Sequence, residues 1–169
     1  MSEAEERLER WVTLHQPVVY RAAWLILRDR AGAEDVAQET FLRAFRHAHR
    51  LGDDADVRPW LYRVAVNLAL NRLRSRRREE RALSRLGPPR LRADEEGQGF
   101  ALDSPVADAL RRLPDRLRVP VVLRYYLDLS EKEIARALGI RPGTTKSRLH
   151  QARRLLAADE SITAAVAGG

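Results

Sequence analysis

Between Leu129 and Leu156 the sequence reads LSEKEIARALGIRPGTTKSRLHQARRLL, a stretch whose side chains suit contact with a polyanion. Arg136, Arg141, Lys146, Arg148, Arg153 and Arg154 are cationic, and no Asp or Glu occurs from Ala135 to Ala158. An ordinary solvated face mixes its signs, so this one-sidedness suits a surface that meets phosphates. A second cluster of the same kind lies upstream, where Arg72, Arg74, Arg76, Arg77, Arg78 and Arg81 are set against only Glu79 and Glu80. Bond-making chemistry has weaker support. Ser2 and the group Asp53, Asp54 and Asp56 are the nearest approach to a nucleophile or a metal set, and a chain terminus and a solvated loop explain them more simply. His15, His47, His49 and His150 show no metal-ligand spacing, and there is no cysteine to supply a thiolate. The expectation is therefore no catalytic group, no metal and no cofactor.

The cationic stretch must be positioned by helices. Ser130 and Glu133 have capping-box spacing, in which hydroxyl and carboxylate each satisfy one orphan N–H at a helix start. Ile134, Ala135 and Leu138 then recur at helical spacing, and Gly139 can take positive φ where that helix stops. Pro142 suits the first turn of a second helix. That helix sets Leu149, Ala152 and Leu156 on one face, while Lys146, Ser147, His150, Gln151 and Arg154 lie largely on the others. Two short helices, a Gly-containing turn and a basic second helix make a helix-turn-helix, which seats its second helix in the DNA major groove. A solvated helical hairpin is the plainer reading of the same face, and the missing acids weigh against it.

Upstream, Leu8, Trp11, Val12, Leu14, Val18, Val19, Ala22, Ala23 and Ile26 predict one bent helix or two over residues 3–27, despite Pro17. After Arg28-Asp29-Arg30 a second helix carries the apolar stripe Val36, Ala37, Phe41, Ala44, Phe45 and Ala48, leaving Asp35, Gln38, Glu39 and Arg43 on its other side. A polar loop then leads to Pro59, placed to open a third helix to about Arg81 with Trp60 or Leu61, Val64, Ala65, Leu68 and Ala69 inward. Residues 82–104 lose periodicity and carry Gly87-Pro88-Pro89, Asp94-Glu95-Glu96 and Gly97-Gln98-Gly99, the marks of a flexible linker. Beyond it, Val106, Ala109, Leu110 and Leu113 predict a short helix stopped by Pro114. Val119, Val122, Leu123, Tyr126 and Leu127 predict another, with Pro120 bending it or lying in its first turn. No strand-like alternation persists. The predicted class is all-α: two small helical domains joined by a flexible linker, residues 1–81 and 105–160, with a tail over 161–169 that adds no recognisable domain.

Composition agrees. The 169 residues carry a formal charge of +7 and are 44% hydrophobic but only 6% aromatic, which suits small helical cores and a nucleic-acid partner. An acidic membrane surface is the competing partner. No run approaches the roughly 20 apolar residues of a membrane span, and the charged start MSEAEERLERW is unlike a signal peptide. A cytoplasmic protein without membrane insertion is expected.

Taken together, AEDVAQETFLRAFR and RPWLYRVAVNLALNRLRSRRR resemble the two region-2 signatures of the extracytoplasmic-function sigma factors of bacterial RNA polymerase. The run LPDRLRVPVVLRYYLDLSEKEIARALGIRPGTTKSRLHQARR resembles their region 4. Either half alone is moderate evidence; both in this order are specific. The resemblance implies an alternative sigma factor whose partners are core polymerase, through its β and β′ subunits, and promoter DNA, with an anti-sigma protein as a further partner type. It places Asp35, Gln38, Glu39 and Arg43 against the β′ clamp helices. It places the loop from about Gly52 to Val57, with Asn67, Asn71, Arg72, Arg74, Arg76 and Arg77, at the −10 element. Lys146, Ser147, His150 and Gln151 fall against the −35 element, with Arg141, Thr144, Arg148 and Arg154 near phosphates or supporting the helix. The sequence departs from the family pattern at two points: the −10 loop has no aromatic residue and holds three aspartates, and Thr145 stands where valine is common. Within the loop's surroundings Trp60 is expected in the core. Two other functions fit part of the pattern: a dimeric helix-turn-helix regulator, which would bind duplex DNA without core polymerase, and a recombinase or nuclease, which the absence of a credible catalytic set disfavours.

Overall fold

The computed structural model describes residues 2–51, 54–87 and 104–167, and every regular element among them is helical. The chain divides into two compact units, Met1–Glu96 and Gly97–Gly169. Of the segment read as a linker, residues 88–103 lie outside the described residues.

The first unit packs three helices against one another: α1 (Glu3–Leu27), α2 (Arg30–Arg46) and α3 (Asp54–Ser84). Ser2 and Glu5 form a capping box at the start of α1, which then runs unbroken through Pro17. Its second half is the core of the unit, with Trp24, Leu25, Ile26 and Leu27 all buried. The chain turns at Arg28, whose φ of 53° is the left-handed cap that ends α1, and restarts after Asp29. Helix α3 begins earlier than its proline suggests, at Asp54, with Pro59 inside it. The cause is Val57, which is fully buried and needs the chain already helical to reach the bundle. The segment read as a loop from Gly52 to Val57 is thus helical from Asp54, while Gly52 and Asp53 lie outside the described residues. Helix α3 also outruns its expected end at Arg81, continuing to Ser84.

In the second unit α4 (Pro105–Arg112) starts at the Ser104 cap and α5 (Asp115–Tyr125) follows Pro114. Pro120 is buried inside α5, beyond its first turn. Helices α5, α6 (Glu131–Leu138) and α7 (Pro142–Ala157) pack together around Leu117, Leu123, Ile134, Leu149 and Ala152. Of the expected tail over 161–169, residues 161–167 belong to α8 (Glu160–Ala167), which lies on α4 and α7. A polar clasp holds its start: Arg112 Nη2 donates to Asp159 Oδ2 at 2.7 Å and to Ser161 Oγ at 3.1 Å. The Ser161 hydroxyl, and after it Arg112, hold the Asp159 carboxyl down to about 2.

Candidate nucleic-acid interface

The helix-turn-helix of the second unit is built as its caps dictate. Ser130 Oγ accepts from the Glu133 N–H at 3.2 Å while Glu133 Oε2 accepts from the Ser130 N–H at 2.8 Å, fixing the start of α6. Gly139 ends the helix at φ 64°, a conformation costly to any residue with a Cβ. Only Gly139, Ile140 and Arg141 separate α6 from α7, and the Arg141 carbonyl accepts from the N–H groups of Thr144 and Thr145. Ile134, Ala135, Leu149 and Ala152 are buried, which locks α7 against α6 and leaves its opposite face outward.

On that outward face Lys146, Ser147, His150, Gln151 and Arg154 are exposed and spaced at three and four residues, so they form one stripe along α7. Arg141 is exposed at the helix start, where orphan N–H groups and the dipole favour a phosphate. Thr144 and Arg148 are half-buried, in keeping with a supporting place beside the stripe. The Ser147 hydroxyl donates to the Thr144 carbonyl at 3.0 Å, leaving its lone pairs as acceptors. Arg153, at the side, donates to Tyr125 Oη at 3.2 Å and ties α7 to α5.

Thr145 lies beneath this stripe, fully buried, and its Oγ1 has no hydrogen-bond partner among the described residues. A buried hydroxyl without a partner costs stability that an apolar group of the same shape does not. Thr145→Val should therefore raise the stability of the second unit by about 1 kcal/mol and leave duplex affinity unchanged. Denaturant unfolding of the full chain, followed by a probe in the second unit, checks this.

The first unit distributes its expected residues over two faces. Along α3, Asn67, Asn71 and Arg74 share one exposed stripe, and Asn71 Oδ1 accepts from Arg74 Nη1 at 3.2 Å. Arg72 and Arg76 turn instead toward the α1–α2 corner, and Arg77 is half-buried on the other flank. Arg72 Nη2 lies 3.1 Å from Asp35 Oδ2, so a residue expected at DNA and one expected at the polymerase are partners. On α2, Glu39 and Arg43 pair at 2.7 Å, and Gln38 is exposed one turn from Asp35.

Two expectations are corrected here. Phe45 belongs by spacing to the apolar stripe of α2 but is 42% exposed, and Leu42 on the same helix is 43% exposed. Gln38, Leu42 and Phe45 are spaced four and three residues apart, so the two apolar side chains share an exposed face of α2 with Gln38. Trp60 is half-buried rather than core, with its ring 5.8 Å from that of His47 across the α2–α3 connection. Sequence reasoning missed Arg118, whose guanidinium is fully buried in α5 and donates to the Leu113 carbonyl at 3.0 Å and to Asp115 Oδ1 at 2.5 Å. Its signal was Asp115, an acid three residues earlier and so one helical turn away.

Comparison with known proteins follows the same division. The Sigma-70 region 2 family model matches residues 11–79, and the Sigma-70 region 4 model matches residues 104–156. The ECF RNA polymerase sigma factor SigL of Mycobacterium tuberculosis is 40% identical over 145 residues, covering 84% of this chain and 82% of that protein. SigW of Bacillus subtilis is 27% identical over 157 residues, covering 86% and 84%. Among solved structures, the sigma factor RpoE from Bartonella quintana, in complex with the anti-sigma factor NepR, shares the fold. It superposes with a TM-score of 0.61 at 23% identity, covering 88% of this chain and 92% of that one. The chain belongs to the ECF sigma factors of RNA polymerase, and it directs promoter recognition and the initiation of transcription.

Proposed function

We propose that this sigma factor grips promoter DNA at two points and core polymerase at a third. The second unit reads the −35 duplex through Lys146, Ser147, His150 and Gln151, while Arg141, Thr144, Arg148 and Arg154 meet or support the phosphate contacts. Phosphate contacts set register and base-edge contacts carry sequence choice. The first unit stabilises the opened −10 strand through the stripe Asn67, Asn71 and Arg74, with Arg72, Arg76 and Arg77 supplying positive charge around it. Asp35, Gln38, Glu39 and Arg43 dock on the polymerase, with Leu42 and Phe45 as the apolar part of that surface. The chain contributes no bond chemistry; its binding free energy replaces that of the melted base pairs. The observation that carries this reading is the acid-free exposed stripe on α7. It acts in the cytoplasm, where polymerase and promoters are, and a protein that covers either DNA-facing surface is the kind of partner that silences it.

Transcription in vitro with purified core polymerase and a promoter library is the test. Initiation should begin from a subset of promoters sharing −35 and −10 sequences. Failure to bind core polymerase, with tight binding to duplex DNA as a dimer, would overturn the proposal in favour of a conventional regulator.

A further inference from the structure

The exposed stripe on α7 runs past the part of the helix that the core holds. Thr145, Leu149 and Ala152 are buried, but beyond Ala152 no side chain of α7 is fully buried, and Leu155 is exposed. Arg154 stands in that last turn. A helix end without buried side chains frays, and an arginine on it must first order its own backbone before it can bind. Two ties oppose fraying here. Arg153 reaches Tyr125 on α5 at 3.2 Å, and Asp159 closes the end of the helix.

Asp159 serves both α7 and α8. Its N–H donates to the Leu156 carbonyl at 3.2 Å, finishing α7, while its Oδ1 accepts from the Ser161 N–H at 3.0 Å, starting α8. Only Ala158 and Asp159 separate the two helices. A carboxylate just past a helix C-terminus opposes the dipole of that helix. Arg112 offsets it through the bond to Asp159 Oδ2, and its second bond, to Ser161 Oγ, fixes the guanidinium in place. Arg112 is itself anchored. The next residue, Leu113, gives its carbonyl to the buried Arg118 of α5 at 3.0 Å, and among the described helices α4 packs chiefly on α8. The contacts therefore close a ring from α5 through α4 and α8 back to the end of α7. Its last member, α8, lies beyond residue 156, where the region 4 match ends.

We propose that α8 braces the end of α7 and that Arg112 is a positioning residue for DNA binding: by pinning Asp159 it orders the last turn of α7 and so aims Arg154 at a phosphate of the −35 duplex. This rests on the −35 reading above, and adds to it a residue that acts through α8 rather than on DNA.

Two variants of the full chain test it. Arg112→Ala removes the clasp, and Ala164→Pro breaks α8 at an exposed position without changing any charge. Hydrogen exchange is followed at the amides of residues 155–158. Affinity is measured at several salt concentrations for a duplex bearing the −35 sequence of a promoter selected in vitro, with Arg154→Ala as the reference. Both variants should speed exchange in that turn but not at residues 146–150, and should weaken the duplex roughly two- to fivefold, the reach of an exposed ion pair. The slope of log affinity against log salt should fall toward that of Arg154→Ala, by at most about one unit, although Ala164→Pro removes no cation. Neither variant should weaken binding further in the Arg154→Ala background, whereas both should in the Lys146→Ala background. Should Ala164→Pro lower the unfolding temperature, Asp159→Asn replaces it: it keeps the cap of α8, releases Arg112, and should weaken binding although it raises the net positive charge. Loss in Arg112→Ala alone would make Arg112 a direct phosphate contact and overturn the proposal. Wild-type exchange in the last turn, or faster exchange with wild-type affinity, overturns it as well. If Arg154→Ala itself binds like wild type, the −35 reading of this turn fails first, and the proposal falls with it.

Discussion

Arg118→Ala should destabilise the second unit by about 3 kcal/mol, the cost of breaking a buried charged pair and leaving a void. The guanidinium is fully buried and bridges the Leu113 carbonyl at the end of α4 to Asp115 at the start of α5. Truncation takes this donor from the buried Leu113 carbonyl and from the partly exposed Asp115, and empties a fully buried side-chain volume, so the penalty exceeds that of a surface ion pair. Arg118→Met keeps most of the volume and should lose less, and Arg118→Lys keeps the charge but not the fork that serves both acceptors at once. The expected order of stability is wild type, then Met and Lys, then Ala. Because α5 packs on both α6 and α7, −35 binding should fall with the folded fraction, while core-polymerase binding by the first unit should persist. Denaturant titration with separate probes in each unit measures this. An alanine variant within 0.5 kcal/mol of wild type, the range of ordinary surface substitutions, would show that the α4–α5 corner does not depend on the pair.

Arg118 also shows where the sequence stops being legible. Side chains that act locally were readable: Ser130 and Glu133 announce the start of α6, and Gly139 announces its end, because each works through its own backbone within a few residues. The exposed stripe on α7 follows from the same local logic. What was not readable depends on partners far along the chain. Phe45 has the spacing of the inward stripe of α2, yet Ala44 and Phe41 fill the space against the other helices and leave it outside. Val57 draws α3 back to Asp54 by burying itself, which overrides the start that Pro59 suggests. The short run after Asp159 is weak as an isolated helix, and becomes α8 by lying on α4, with Arg112, remote in sequence, holding its cap. The two faces of α3 were hidden for the same reason: six candidate residues in one run look like one surface until the α1–α2 corner claims Arg72 and Arg76.

Substitutions on the two units should separate the steps of promoter use. Lys146→Ala and Gln151→Ala each remove an exposed side chain from the α7 stripe without touching the buried face, so folding should hold. Each should cost about 1–3 kcal/mol of −35 affinity, the worth of one good base contact, and core binding should not change. Gln38→Ala should do the reverse, weakening core binding while duplex affinity stays. Asp35→Ala is expected to act on both sides, because Asp35 is the partner of Arg72. Releasing Arg72 changes the charge beside the −10 stripe as well as the docking face, so opened-strand binding should shift along with core binding. A double-mutant cycle with Arg72→Ala reads that coupling directly, and contacting residues typically show 0.5 kcal/mol or more. Gel-shift titrations on −35 duplex, opened-strand oligonucleotide and core polymerase give the three affinities. If Lys146→Ala weakened core binding instead, the division of labour between the units would be wrong. If Asp35→Ala and Arg72→Ala proved additive, the docking and melting surfaces would be independent despite their contact.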